Sequence, residues 1–547
     1  MHSSKTPPSM NSDAWPPATP SPGGEDCEAV IEKTKDLQNS TTASQRPFQR
    51  TKIRLASAFF AYFVVGWGDG VTGTLLPHFK SDLHLSFLLS SLFWVASATG
   101  YLLGTIVVEH VTRLLGRTRL ETHRPPSTSP FPAWCSRTSR PESRHDTNEK
   151  TRIIGFSRSR SRFYTLLYAT SLHAVFFVIM GSKSGYPSMM IAYVISSFAR
   201  SFITGDNVYV PSVSKRGLGF FYGSTSAGSF AAPLVCQSIV ATGIRWADFY
   251  YGSLVLSAIN TTLIVYAFRP TQEELQSDAE LAWELYKTAD SSSDTASSEG
   301  ADQKTSPTSS TVPVLGKTSA LGPRSESNGS LEVLGLTRSH VAYKAALGQL
   351  QTWASALFAL LYTGSESVTQ GFIAVYLLNV RSANPSTVGY VTSGFWGGMT
   401  LSRITWGYCG NIISFRQRKW IVQACITENL ITIAAVTAFT MHLLLLLVPS
   451  FVGNAVSTAI IGTVYGPIFP ANIASARDLL PAEVHLVSLA IVAACASFGA
   501  ALFPFIAGLL STTVGARTFP YITIAQCVAM FCVWFFFPSR IPGTSHR

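Results

Sequence analysis

The segment Gly66–Pro77, "GWGDGVTGTLLP", sets a carboxylate among glycines inside a run that is otherwise apolar from Leu55 onward. Far downstream, Tyr362–Ile373 reads "YTGSESVTQGFI". Asp69 is followed by Val71–Thr72 and Glu366 by Val368–Thr369, so acid-x-Val-Thr recurs at one offset. The next apolar run then carries Thr99–Gly100 and Gly104 in one half, and Ser393–Gly394 and Gly398 in the other. Later, "GSFAAP" (Gly228–Pro233) is echoed by "SFGAALFP" (Ser497–Pro504). Matches that keep their order and spacing describe a duplicated unit. Parallel repeats of this kind place a binding site between the halves, near the midplane of a bilayer.

Composition fixes the solvent. The 547 residues are 47% hydrophobic and only 13% charged, about half the ~25% charge of an average soluble protein; the mean hydropathy is +0.24. A soluble enzyme is excluded as the main reading. A window of about 19 residues finds twelve helical spans. Six lie near Leu55–Pro77, Leu85–Val108, Phe163–Gly181, Ser188–Val210, Gly217–Ala241 and Asp248–Phe268. Six more lie near Leu350–Leu378, Val388–Gly410, Trp420–Leu447, Phe451–Pro470, His485–Leu510 and Thr518–Phe537. These runs are far longer than the roughly 10 residues of a barrel strand, which makes them helices. The expected fold is an all-α polytopic membrane protein with two pseudo-symmetric six-helix bundles. Its parts are a disordered tail (1–50), a first bundle (51–268) with an atypical insert (118–162), a disordered linker (269–344), a second bundle (345–538) and a short tail (539–547). The linker, dense in Ser, Thr, Asp and Glu, has room for a short amphipathic helix around Glu280–Lys287.

The net charge of +11 reflects topology rather than nucleic-acid binding. With both termini cytoplasmic, the outer loops carry Lys80, Lys183, Arg245, Arg381 and Arg517. The inner segments carry more, among them Arg46, Arg50, Lys52, Arg54, Arg113, Arg117, Lys215, Arg216, Arg416, Arg418, Lys419, Arg477 and Arg540. That asymmetry follows the positive-inside rule and predicts a multi-pass protein, of the plasma membrane by preference. The eight cysteines form no CxxC pair, and no ligand set for zinc or iron–sulfur exists, so no metal or cofactor is expected. No Gly-x-x-x-x-Gly-Lys-Ser/Thr phosphate loop is present, which excludes an ATP-driven pump.

"GWGDGVTGTLLPHF", "GLGFFYGSTSAGSFAAPLV", "VGYVTSGFWGGMTLSRITWG", "GTVYGPIFPANIAS" and "FGAALFPFIAGLL" carry a family resemblance. The chain resembles major facilitator superfamily transporters and, within them, fungal permeases of the bypass-of-stop-codon group, relatives of the fucose–proton symporters. The resemblance implies a monomeric permease that moves a small solute through lipid by alternating access, with protons as a coupling ion (symport). A non-transporting sensor of the same fold and a non-functional product of mis-splicing are the alternatives. Gly116–Arg117 matches the end of the superfamily's signature between the second and third spans. The Arg-, Ser- and Pro-rich run that follows, 118–160, does not; retained intron is the first reading of it and a regulatory loop the second. The overlong ninth span near Trp420–Leu447 raises the same question.

Intramembrane carboxylates mark pathways or proton relays, because a charge in hydrocarbon is costly. Asp69 is the leading candidate, at the family's acidic position; Glu366 is its repeat counterpart. Asn207 and Tyr209 match the family's Asn-x-Tyr-like element, although Ile203 stands where fucose-type relatives carry an acid. Arg200 is placed to bind an anionic solute or to pair with Asp69 or Asp206. Arg403 reads as a gate residue bonding carbonyls or acids. Trp353, Phe395, Trp396 and Tyr465 are candidate cavity aromatics, and Gly466–Pro467 marks a kinked tenth helix. Gly100, Gly394, Gly398, Gly116, Arg117, Pro233 and Pro504 are expected to be structural or gating positions. His173 and His442 read as ordinary buried side chains. Epitope tags on the two termini should be protected from externally added protease together; accessibility of one terminus alone would overturn the even number of spans.

Overall fold

In lipid, backbone N–H and C=O groups find no partner but one another, so long apolar runs become helices. The computed structural model describes residues 51–120, 153–207, 215–298, 344–409, 430–481 and 484–536; those from Lys52 onward form one compact unit. The first span is α1 (Thr51–Gly70) and α2 (Thr72–Leu83), followed by α3 (Phe87–Leu115). A two-stranded antiparallel hairpin, β1 (Arg117–Leu120) and β2 (Ile153–Phe156), precedes α4 (Arg158–Gly181), α5 (Tyr186–Asn207), α6 (Lys215–Ala241) and α7 (Trp246–Phe268). After α8 (Gln272–Ser298), the second half contains α9 (Leu350–Arg381), α10 (Gly389–Cys409) and α11 (Leu430–Leu447). It closes with α12 (Phe451–Tyr465), α13 (Ile468–Leu479), α14 (His485–Thr513) and α15 (Phe519–Phe535).

Each of the twelve expected spans is occupied by a helix among the described residues. Seven are long and apolar enough to cross a membrane by length and composition alone. Of the other five, α11 enters this comparison only over its described stretch Thr437–Leu447, which is apolar, while α5, α6, α9 and α10 include helices that pack against protein on most sides. In α9, for instance, nearly every residue from Tyr362 to Leu377 is buried. A helix shielded from lipid can carry Ser, Thr, Gly and charge, which lowers its hydropathy without removing it from the bilayer.

The two halves pack in one register. A Cβ on Gly228 of α6 would stand 1.9 Å from the Phe63 carbonyl oxygen of α1; one on Gly499 of α14 would stand 2.1 Å from the Leu360 oxygen of α9. Each carbonyl lies six residues before the acid of its half, and each glycine five residues before a helical proline, Pro233 or Pro504. Both prolines are buried. Likewise α3 meets α5 where a Gly100 Cβ would be 2.1 Å from the Val194 oxygen, and α10 meets α12 where a Gly398 Cβ would be 2.3 Å from the Ala459 oxygen. Only glycine permits such contact of backbone with backbone. The first and seventh spans also end alike, at His84 and Ser382, with φ of 50° and 51°.

The first span breaks directly after Asp69–Gly70, and the tenth breaks at Gly466–Pro467 as expected, where proline supplies no N–H to the helix ladder. Other expectations need correcting. The linker is not disordered throughout, since Gln272–Ser298 is one helix of 27 residues. The insert does not begin and end as loop: Arg117 pairs with Phe156 and Leu120 with Ile153, and Arg158–Arg162 already belong to α4. Residues 121–152, the rest of the linker, both tails and the questioned start of the ninth span (420–429) lie outside the described residues.

Gly394 differs from Gly398: the nearest atom to its added Cβ is that of Ala459 at 3.6 Å, an ordinary contact. Gly398→Ala should therefore lower the melting temperature of the purified protein in detergent, whereas Gly394→Ala should leave it unchanged or raise it slightly. Equal effects would contradict the helix contact described.

Candidate functional site

Two acid–arginine pairs lie within the spans. Asp69 stands about 27 Å along a first span roughly 50 Å long, well inside a hydrocarbon layer of about 30 Å. Its carboxylate forms an ion pair with Arg200 of α5; the side chain of Asp206, the other partner expected for Arg200, lies outside the described residues. The two side chains remain 29% and 27% exposed, so the pair borders open space rather than sealed core. The Arg200 guanidinium lies 5.2 Å from the ring centre of Tyr101 on α3. His173 of α4 is buried behind the pair, within electrostatic reach of both members. Its burial agrees with the expectation of an ordinary buried side chain; its nearness to the pair was not legible, because a lone His in an apolar run carries no signal of what crosses from other helices.

In the second half, Glu366 of α9 pairs with Arg403 of α10 at 3.5 Å, and the side chains are 15% and 6% exposed. Arg403 also donates from Nη1 to Ser226 Oγ at 2.6 Å and from Nε to the Gly466 carbonyl at 3.4 Å. Ser226 belongs to α6, in the other half, and Gly466 to the break in the tenth span. One guanidinium thus ties the two bundles and the helix break together, as a planar five-donor fork can. Arg403, expected to bond carbonyls or acids, meets one of each and also Ser226, a partner that no local pattern announced. Arg403 lies 5.8 Å from the ring centre of Tyr222, which is within electrostatic reach of Tyr101 and Glu366. Tyr101 and Tyr222 therefore stand between the two ion pairs.

The bundles also meet around this centre. Phe220 and Tyr408 stack edge-on at 5.0 Å toward the hairpin end, and Gly219 approaches Gly407 there. At the opposite end Gln237 donates to the Pro385 carbonyl at 3.0 Å and accepts from the Gly389 N–H at 3.1 Å. The Leu88 N–H donates to Thr512 Oγ1 at 3.0 Å.

Other expected residues sit elsewhere. Tyr465 is fully buried, its hydroxyl 2.7 Å from Ser365 Oγ and 3.4 Å from both His442 Nε2 and Cys527 Sγ. His442 continues to Thr523 Oγ1 at 3.0 Å. This is an internal polar network of the second bundle, in which the Tyr465 hydroxyl is occupied. Trp353 is exposed near the start of α9 and donates to the Leu347 carbonyl at 2.8 Å, far along the helix from Glu366. Gly116 ends α3 with the Phe156 ring against it, and Arg117 enters the exposed hairpin; neither reaches the contact between bundles. Trp396 is buried and its indole N–H has no partner among the described residues. Tyr209 lies outside the described residues, as does the side chain of Asn207. No group of His, Cys, Asp and Glu suited to a metal occurs among the described residues.

No family model matches the sequence. Over 192 residues the chain is 26% identical to Bypass of stop codon protein 6 of Saccharomyces cerevisiae (strain ATCC 204508 / S288c), covering 34% of this chain and 37% of the yeast protein. The match spans little more than a third of that relative's length. Among solved structures the chain is similar to a crystal structure of the nucleoside transporter NupG, determined as a point mutant, with a TM-score of 0.54 at 11% identity, over 88% of this chain and 99% of that one. At that identity the likeness shows the fold. Both findings agree with the resemblance read from the sequence, and the protein is a multi-pass integral membrane protein that shares the all-α polytopic fold of that solved transporter.

The two pairs should respond differently to mutation. Glu366→Gln leaves a buried guanidinium without its counter-charge, a change that costs about 3–5 kcal/mol; the double variant Glu366→Gln/Arg403→Gln should recover part of the lost melting temperature. Asp69→Asn, at a partly solvated pair, should cost about 1 kcal/mol or less. Thermal unfolding in detergent that ranks the single variants in the opposite order would refute this assignment of burial.

Proposed function

We propose that the protein is a secondary transporter that carries a small polar solute across the membrane by alternating access of its two bundles, in symport with protons. The observation that carries this reading is the placement of two acid–arginine pairs at matching depths of the repeated halves, one partly open and one linking the bundles. The likeness to a nucleoside transporter supports it at the level of fold.

In this mechanism Asp69 takes up the coupling proton. While ionised it holds Arg200 by charge; once protonated it loses most of that attraction, and Arg200 is released to bind the solute. Glu366, Arg403 and Ser226 act as the tie between bundles. Breaking that tie lets α6 and α10 separate, whereas reforming it closes the path. A solute rich in hydrogen-bonding groups fits the second bundle, where Thr369, Gln370, Thr392, Ser393 and Trp396 present buried polar atoms lacking partners among the described residues. Sugars, nucleosides and amino-acid derivatives share that chemistry. Asn207 and Tyr209 belong to the pathway by resemblance. The hairpin end, rich in arginine, is the cytoplasmic one under the positive-inside rule, which puts both termini in the cytosol, with the plasma membrane as the preferred site and the monomer as the working unit.

The test is uptake of a panel of labelled sugars, nucleosides and amino-acid derivatives into proteoliposomes under an imposed proton gradient. The wild-type protein should accumulate at least one solute. Asp69→Asn should reduce accumulation to passive leak while sparing solute exchange at equal pH on both sides. Undiminished accumulation by Asp69→Asn would remove Asp69 from the proton path.

A further inference from the structure

The linker helix α8 is built into the hairpin end of the molecule. Its start is a reciprocal cap: the Glu274 N–H donates to Thr271 Oγ1 at 3.3 Å and the Thr271 N–H to Glu274 Oε2 at 3.2 Å. Arg54 of α1 pairs with Glu274 at 2.8 Å and donates from Nε to the Ala267 carbonyl at 3.0 Å. One turn on, Asp278 accepts from Ser157 Oγ at 2.7 Å and the Ser159 N–H at 2.9 Å, at the first turn of α4. A turn further, Ala282 is buried against the hairpin, where a Cβ on Gly155 would lie 3.0 Å from Ala282 Cβ and 2.8 Å from Leu120 Cδ1.

Glu274, Asp278 and Ala282 therefore mark one stripe of α8, turned toward the ends of the spans and so toward the plane where those spans enter lipid. Past the protein that supports it, that side becomes apolar. Leu285 is 65% exposed and Tyr286 is exposed beside it, while Glu280 and Lys287 occupy the opposite side. The hairpin repeats the pattern with the period of a strand: Leu120 and Gly155 face α8, whereas Arg117, Arg119, Ile154 and Phe156 share the exposed face. Ile154 is 66% exposed. Arg158 and Arg160 at the start of α4 are exposed as well.

We propose that α8 and the hairpin form an in-plane anchor on the membrane surface at that end of the bundle. Leu285, Tyr286, Ile154 and Phe156 enter the headgroup–acyl boundary, and the neighbouring arginines meet lipid phosphates. Two features select the bilayer over another protein as the occupant. The stripe is continuous with one that already faces the span ends, and the cations beside it complement an anionic leaflet. The anchor does not depend on transport activity.

Full-length protein in nanodiscs containing phosphatidylserine, carrying a spin-labelled unnatural amino acid at one of four positions of α8, tests this. At 285 and 286 the label should relax readily with oxygen and be shielded from a water-soluble nickel chelate; at 280 and 287 the order should reverse. Leu285→Glu should raise chelate access at 286. Equal chelate access at all four positions would overturn the proposal, as would spin–spin broadening at 285 showing that a second copy of the chain covers the face.

Discussion

A charge inside hydrocarbon is tolerated only where another part of the chain answers it, and both halves of this protein place a carboxylate at the same point of their first helix. The coincidence reaches beyond side chains. Phe63 and Leu360, each six residues before the acid, offer their carbonyls to Gly228 and Gly499. Backbone contact this close fixes the rotation of the helix about its axis, and that rotation decides which way Asp69 and Glu366 point. The glycines of the fifth and eleventh spans are thus part of how the acids reach their arginines, although they touch neither.

The two pairs share an origin in the repeat but not a geometry. The acids correspond, whereas the arginines come from α5 in one half and α10 in the other. Arg200 stays with its own bundle and leaves Asp69 partly open. Arg403 is almost fully enclosed and bonds across to Ser226. A partly open carboxylate can exchange protons with water in a cavity; an enclosed guanidinium, which keeps its charge at any accessible pH, is suited to holding parts together. Divergence of the arginines thus leaves the two acids of the repeat in two distinct environments.

Much of this was legible in the sequence because membrane burial writes long, simple signals. Acid-x-Val-Thr, Gly100 and Gly398, the kink at Gly466–Pro467 and all twelve helices follow from local pattern. What escaped depends on contacts distant in sequence. Ser226 is one hydroxyl among many until Arg403 meets it. Tyr465 looked like a cavity aromatic, but its hydroxyl belongs to the Ser365–His442–Cys527 network. Helix α8 was expected only as a short stretch around Glu280–Lys287; its full length hid behind a Ser- and acid-rich composition typical of linkers, yet Thr271-x-x-Glu274 is a capping signature that could have announced its start.

The hairpin alters the standing of the insert between the second and third spans. Its ends pair across β1 and β2, so α3 and α4 are joined as closely as a short loop would join them, whatever length intervenes. Loop-closure entropy grows only logarithmically with that length, so the bundle has little energetic reason to exclude the added residues. A two-stranded ribbon of four residues per strand is marginal alone. Here Ala282 of α8 closes over Gly155, and Asp278 bonds the first turn of α4. Insert and linker, the two segments in which the chain departs most from a bare bundle of spanning helices, therefore stabilise one another at a single place.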